Sequence, residues 1–208
     1  ILIGTLLGDA TIATRAGRPI LRIKFEQQVK FRTYIYHLYE VFKDFIISSP
    51  AVRLEKDTKT KTSYWVATRQ QKCFKYYYDL FYPKSNFKKS LNLYPPFLYP
   101  CFTDPEMNAK GQNRQKRVPK QINKLLTARA LAYWFMDDGT HKVTKAGTIV
   151  YGFSTQGFNF SDQQLLVNAL KKTFDLNVSI HKSGLYFKLY IKAESSQKFY
   201  NIIKPYVL

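Results

Sequence analysis

Two apolar segments, each running into an acid, constrain this sequence more than anything else in it. Leu2 to Asp9 reads LIGTLLGD and Ala130 to Gly139 reads ALAYWFMDDG, so Asp9 precedes Ala10 much as Asp138, 129 residues later, precedes Gly139. Both segments have the composition of a buried helix. An acid at the C-terminal end of a helix meets partial negative charge and unpaired carbonyls, so it is disfavoured unless a positive group, such as a metal ion, shares the spot. One Asp-Gly pair is an ordinary turn signal. A second acid behind a second apolar helix is not explained that way.

The chain between and after these segments repeats one order. Strand patterns at Ala10–Thr14 and Ile20–Glu26 flank the turn residues Ala16-Gly17-Arg18-Pro19, and in the second strand Leu21, Ile23 and Phe25 alternate with Arg22, Lys24 and Glu26. Apolar positions at helical spacing follow from about Val29 to Ile47 (Ile35, Leu38, Tyr39, Phe42, Ile46), then a hairpin from Val52–Asp57 and Ser63–Arg69, then a helix from about Gln71 to Tyr82 halted by Pro83. The second copy runs from the helix Leu125–Asp137 through strands at 139–144 and 148–154 to a helix from Phe160 to Phe174 with Ser161 as its expected N-cap. A hairpin follows, Leu176–Lys182 and Leu185–Lys192, in which Tyr186, Lys188, Tyr190 and Lys192 oppose Leu185, Phe187, Leu189 and Ile191, and a last helix spans Ser195–Pro205. This is a tandem duplication of an α+β unit, αββαββα, with two pseudo-twofold-related halves. The expected organisation is an N-terminal half over 1–90, a proline-rich linker over 91–124 and a C-terminal half over 125–208, the linker carrying the basic run Arg114, Lys116, Arg117 and Lys120.

Charge narrows the partner. Thirty-three Lys and Arg against 14 Asp and Glu leave a formal +19 over 208 residues, spread over both halves, which suits a polyanion. No apolar run reaches the length of a membrane span. The only cysteines, Cys73 and Cys101, lack metal-type spacing and point to free thiols, and His37, His141 and His181 form no paired motif, which makes zinc improbable.

A sheet with one apolar and one basic face in each half fits the major groove of duplex DNA, whose own pseudo-twofold matches that of the chain. The expected groove and phosphate contacts are Arg22, Lys24, Arg53, Arg69, Arg114, Arg117, Lys120, Tyr186, Lys188, Tyr190 and Lys192. If the two opening helices meet at the axis, Asp9 and Asp138 come together over the middle of the duplex. Divalent cations resolve the resulting repulsion. Hard oxygens from Asp9, Asp138, Gly8 and Asp137 suit Mg2+, with Mn2+ or Ca2+ able to substitute in binding, and such ions activate water for phosphodiester hydrolysis. Gly4 and Gly8 would let the helices approach closely.

LIGTLLGDA and LAYWFMDDG resemble the paired motifs of the LAGLIDADG homing endonucleases in their two-motif, single-chain form, and the repeat order resembles that family's half-domain along essentially the whole chain. The resemblance implies a monomer with a saddle of antiparallel sheets that needs no protein partner. It also implies cleavage of both strands of a long asymmetric target to leave short 3′ overhangs. It assigns the catalytic acids to Asp9 and Asp138 rather than Asp137, since only one of two adjacent helical residues is expected to face the axis. It further implies water-ordering roles for Glu26 with Ser154, Gln28 with Gln156, and Lys116. Host intron RNA, bound by a maturase of the same fold, is the alternative partner, and a non-catalytic DNA-binding protein is the remaining one. Richness in Phe, Tyr, Ile, Lys and Asn points to an organellar gene, mitochondrial rather than chloroplast.

Overall fold

The structure is a computed structural model that describes residues 1–15, 18–58, 60–83, 115–145 and 147–208. Arg114, most of the expected linker and the turn residues Ala16 and Gly17 lie outside the described residues.

The first half is built from α1 (Leu2–Leu7), β1 (Thr11–Arg15), β2 (Arg18–Gln28), α2 (Arg32–Phe42), β3 (Ala51–Leu54), β4 (Lys61–Ala67) and α3 (Phe74–Phe81). After a short α4 (Ile122–Leu125), the second half runs α5 (Ala128–Asp138), β5 (Gly139–Val143), β6 (Ile149–Phe153), α6 (Phe160–Phe174), β7 (Val178–Ser183), β8 (Tyr186–Ile191) and α7 (Ala193–Ile203). Each half holds one four-stranded antiparallel sheet, and the strand orders, β1-β2-β4-β3 and β5-β6-β8-β7, are the same. The expected α+β architecture is therefore the observed one.

Alternation decides which face of each sheet is covered. Leu21, Ile23 and Phe25 of β2 and Leu189 and Ile191 of β8 are buried under the helices, each large apolar side chain contributing ~1.5–3 kcal/mol. Between the sheets run α1 and α5. Leu6, Leu7, Leu131 and Trp134 are fully buried, and Trp134 stacks on Phe153 of β6 with ring centroids 4.0 Å apart. Gly4 sets how close the two helices come, because a Cβ there would lie 2.1 Å from the Ala130 carbonyl oxygen.

Two local expectations give way to the structure. The long helix expected from Val29 to Ile47 is α2 flanked by 3-10 turns at Val29–Phe31 and Lys43–Phe45. The N-cap of α6 is Asn159, whose side chain accepts from the Asp162 amide at 2.9 Å, whereas Ser161 lies inside the first turn and donates its hydroxyl to Asn159. Asn and Ser both cap helices well, and the residue with extended backbone takes the role.

Candidate active site

The adjoining ends of α1 and α5 bring three carboxylates together. Asp9 lies just past α1, and Asp137 and Asp138 are the last two residues of α5. The main-chain amide of Asp9 donates to Asp137 Oδ2 at 3.3 Å, and Gln27 Nε2, from the end of β2, reaches both Asp9 Oδ2 at 3.0 Å and Asp137 Oδ1 at 2.9 Å. Lys116 closes the other side, donating to the Gly8 carbonyl oxygen at 2.7 Å.

Burial and crowding set the protonation of this group. Asp138 is pushed up to about 7, by burial first and the Asp9 charge second, with Lys116 pulling part of it back. Burial, followed by the Asp9 charge, also raises Asp137 well above the usual carboxylate range, and burial raises Asp9 against the opposing Gln27 hydrogen bond and Lys116 charge. Lys116 moves the other way, down to about 8, because its burial outweighs the three carboxylates that favour its charged form. The site is short of positive charge, and its donors are hard oxygens. Both properties fit a divalent cation of the Mg2+ type. Among the described residues no group of three or more His, Cys, Asp or Glu forms a ready-made metal cage. An ion held by Asp9 and Asp138 would therefore complete its shell with water and oxygens of the substrate.

The expectation that only one of the adjacent acids faces the axis is not met. Asp137 contacts Asp9 directly, and Asp138 lies within electrostatic reach of the same residue. The physical reason is Gly8. A Cβ on it would lie 2.3 Å from Asp137 Cβ and 2.5 Å from Oδ2, so the bare backbone leaves the room that the Asp137 carboxylate fills.

The remaining expected residues divide by location. Glu26 and Gln28 line the same cleft as Asp9, Gln27, Phe31, Ser63 and Asp137. Glu26 is engaged by Ser63 at 2.6 Å and Arg53 at 2.8 Å, and also by Lys24; burial would raise its pKa, but these partners hold it below the usual range. Ser154 meets Asp138 through the backbone, its amide donating to the Asp138 carbonyl at 2.8 Å, and Gln156 sits in the turn after β6. On the face of β2 away from the helices lie Arg22 and Lys24, and on the corresponding face of β8 lie Tyr186, Lys188 and Tyr190, with Lys192 just beyond the strand. Lys120 is exposed in the turn before α4. Four of the expected cations have internal partners: Lys24 and Arg53 reach Glu26 as above, and two others bond elsewhere. Arg117 grips the buried Asp162 with two bonds of 2.7 and 3.2 Å, and Arg69 donates to the Asp44 carbonyl at 2.9 Å.

Gln27 is the site residue that sequence reasoning passed over. Its parity carried the signal. It shares a face with Leu21, Ile23 and Phe25, so a polar side chain at that position points toward the helix ends rather than into the groove. Tyr34 of α2, buried with its hydroxyl donating to the Tyr133 carbonyl at 3.5 Å and near enough to Asp137 to influence its carboxylate, was also missed.

A family model described as the LAGLIDADG DNA endonuclease family matches residues 1–94 and again 88–199. The chain is 30% identical over 216 residues to a probable intron-encoded endonuclease 1 of Wickerhamomyces canadensis, covering all of this chain and 78% of that protein. It is 26% identical over 216 residues to the cytochrome b mRNA maturase bI2 of Saccharomyces cerevisiae, again across the whole chain but only 44% of the maturase. The solved structure of the homing endonuclease I-WcaI bound to its DNA recognition sequence superposes with a TM-score of 0.76 at 28% identity, covering 100% of this chain and 80% of that one.

Proposed function

The chain belongs to the LAGLIDADG DNA endonuclease family, and from that premise we propose that it is a site-specific homing endonuclease that cuts both strands of a long asymmetric DNA duplex and leaves short 3′ overhangs. The observation that carries this is the convergence of Asp9 and Asp138 at two adjoining helix ends, between two sheets of matching strand order and basic outer faces. In this account residues 1–90 and 125–208 are the two DNA-binding halves and 91–124 joins them.

Each residue's role follows from where it stands. Arg22, Lys24, Lys188 and Lys192 hold phosphates or base edges along the two sheets, and Tyr186 and Tyr190 contact bases or sugars. Asp9 and Asp138 hold a divalent cation, Mg2+ in the cell, which when bound would lower the pKa of an attacking water and stabilise the leaving 3′ oxygen. Lys116, with its pKa lowered to about 8, stands beside both acids where it can donate or accept a proton near neutral pH. Glu26, Gln28, Ser154 and Gln156 line or flank the cleft where water must be ordered.

The whole-chain similarity to a protein named as an mRNA maturase favours one second reading, binding of host intron RNA. Both readings place the gene in an organellar intron, and the cytochrome b maturase similarity favours the mitochondrion. Among the described residues no helix is long and apolar enough to cross a membrane. Selection of cleaved sequences from a randomised duplex library with Mg2+ tests the proposal. It predicts one long asymmetric site. Recovery of no site, with tight binding only to intron RNA, would favour the maturase.

A further inference from the structure

The pseudo-twofold relation allows each residue of one half-site to be set against its mate. Asp9 answers to Asp138 and Gly8 to Asp137. Pairing of Thr11 with Lys24 in one sheet and Thr140 with Gly152 in the other makes Gln27 answer to Thr155. The buried face of α2 (Tyr34, Ile35, Leu38) aligns with that of α6 (Asp162, Gln163, Leu166), so Tyr34 answers to Asp162.

These mates carry different chemistry. Around Asp9 the cluster is closed, with Gln27 bonded to both acids and the Asp9 amide on Asp137. Around Asp138 the matching positions are turned elsewhere. Gly8 offers no side chain, Thr155 donates to Gln163 Oε1 at 2.7 Å, and Asp162 is gripped by Arg117 at 2.7 Å. Asp138 lies within electrostatic reach of Lys116, whose ammonium donates to the Gly8 carbonyl at 2.7 Å. Both oxygens of Asp137 are engaged from within the protein, whereas Asp9 keeps one oxygen clear of Gln27.

We propose that Asp137 is a positioning residue for Asp9, fixing its main chain through the amide and its carboxylate through Gln27, and that this one-sided clamp makes the enzyme cut the two DNA strands at unequal rates. The inference rests on the endonuclease reading above. Gly8 and Asp137 are a matched pair in it, since any side chain at position 8 would displace the carboxylate. Gln27 is the third member, its amide joining the Asp137 and Asp9 carboxylates.

The test is single-turnover cleavage in Mg2+ of a library-selected duplex carrying a different fluorophore on each strand, comparing wild type with Gln27→Met and Asp137→Asn. Gln27→Met removes the amide donor and keeps the side-chain length; Asp137→Asn keeps the shape but offers one acceptor to two donors. Both should slow the same strand, Asp137→Asn by about 10–100-fold and Gln27→Met by about tenfold. The other strand should stay within about twofold, so nicked duplex accumulates, with DNA affinity unchanged. Equal slowing of both strands, as loss of packing would give, or no slowing of either, overturns the inference while leaving the endonuclease intact. Failure of the wild type to cut either strand overturns the endonuclease reading and the inference together.

Discussion

Replacing Asp138 by Asn should stabilise the metal-free protein at pH 8 while it removes cleavage. The Asp138 carboxyl is raised from 3.8 to about 7 by burial and by Asp9. A raised acid pKa means that the folded state resists ionisation more than the unfolded chain does. Below 3.8 neither state is ionised and no penalty exists. Between 3.8 and about 7 the unfolded chain ionises first and the penalty grows, and above about 7 it is complete. At roughly 1.4 kcal/mol per pH unit the full penalty is about 4 kcal/mol. The Asn amide retains part of the desolvation cost, so a gain of ~2–4 kcal/mol is expected, or roughly 5–12 °C in Tm for a chain of this size. The assay is thermal unfolding of both proteins in chelator at pH 8, pH 6 and pH 4.5. The gap should be widest at pH 8 and shrink steadily toward pH 4.5. An Asn variant less stable than wild type at pH 8, or a gap that ignores pH, would refute the electrostatics assigned to this site.

Four further variants act through contacts elsewhere. Gly4→Ala forces α1 and α5 apart, because its Cβ would lie 2.1 Å from the Ala130 carbonyl oxygen, and should cost ~3 kcal/mol in chemical denaturation. Tyr133→Phe loses the 2.6 Å bond to His37 Nε2 and should cost ~1 kcal/mol with cleavage preserved, as measured by urea titration and a cleavage assay. Arg117→Ala leaves the buried Asp162 carboxylate unpaired and should destabilise by ~3 kcal/mol, while the salt dependence of DNA affinity keeps its slope. Lys188→Ala should instead lower that slope by about one without loss of stability.

What was legible in the sequence was whatever repeats at short range. The alternation of β2 and β8, the two acid-terminated helices and the order of elements each appear in the chain, and the sheets take the same strand order in both halves. What was not legible depended on partners far apart in sequence. Arg117 reads as one more cation in a basic run, and only the fold reveals that Asp162, 45 residues on, receives it. Gln27 was within reach of the β2 alternation, but the polar run Glu26-Gln27-Gln28 hid which of the three follows the core face. Helical rotation alone puts one of Asp137 and Asp138 in and one out, and the empty side of Gly8, a feature of the other helix, is what makes room for Asp137. Tyr133, which stands where the first motif has Gly4, packs toward α2, with its ring near Tyr34 and its hydroxyl on His37. The asymmetry visible in the motifs is thus accommodated by the first half.

In the proposed mechanism Asp9 and Asp138 together make a metal-dependent cutting centre. It is tested most directly by incubating the library-selected duplex with wild type, Asp9→Asn and Asp138→Asn in Mg2+ and resolving intact, nicked and double-cut DNA. The prediction is double-strand breakage by wild type, stopped by chelator, and a loss of about a thousandfold or more in each variant with binding retained. Undiminished double-strand cleavage by either Asn variant would contradict it.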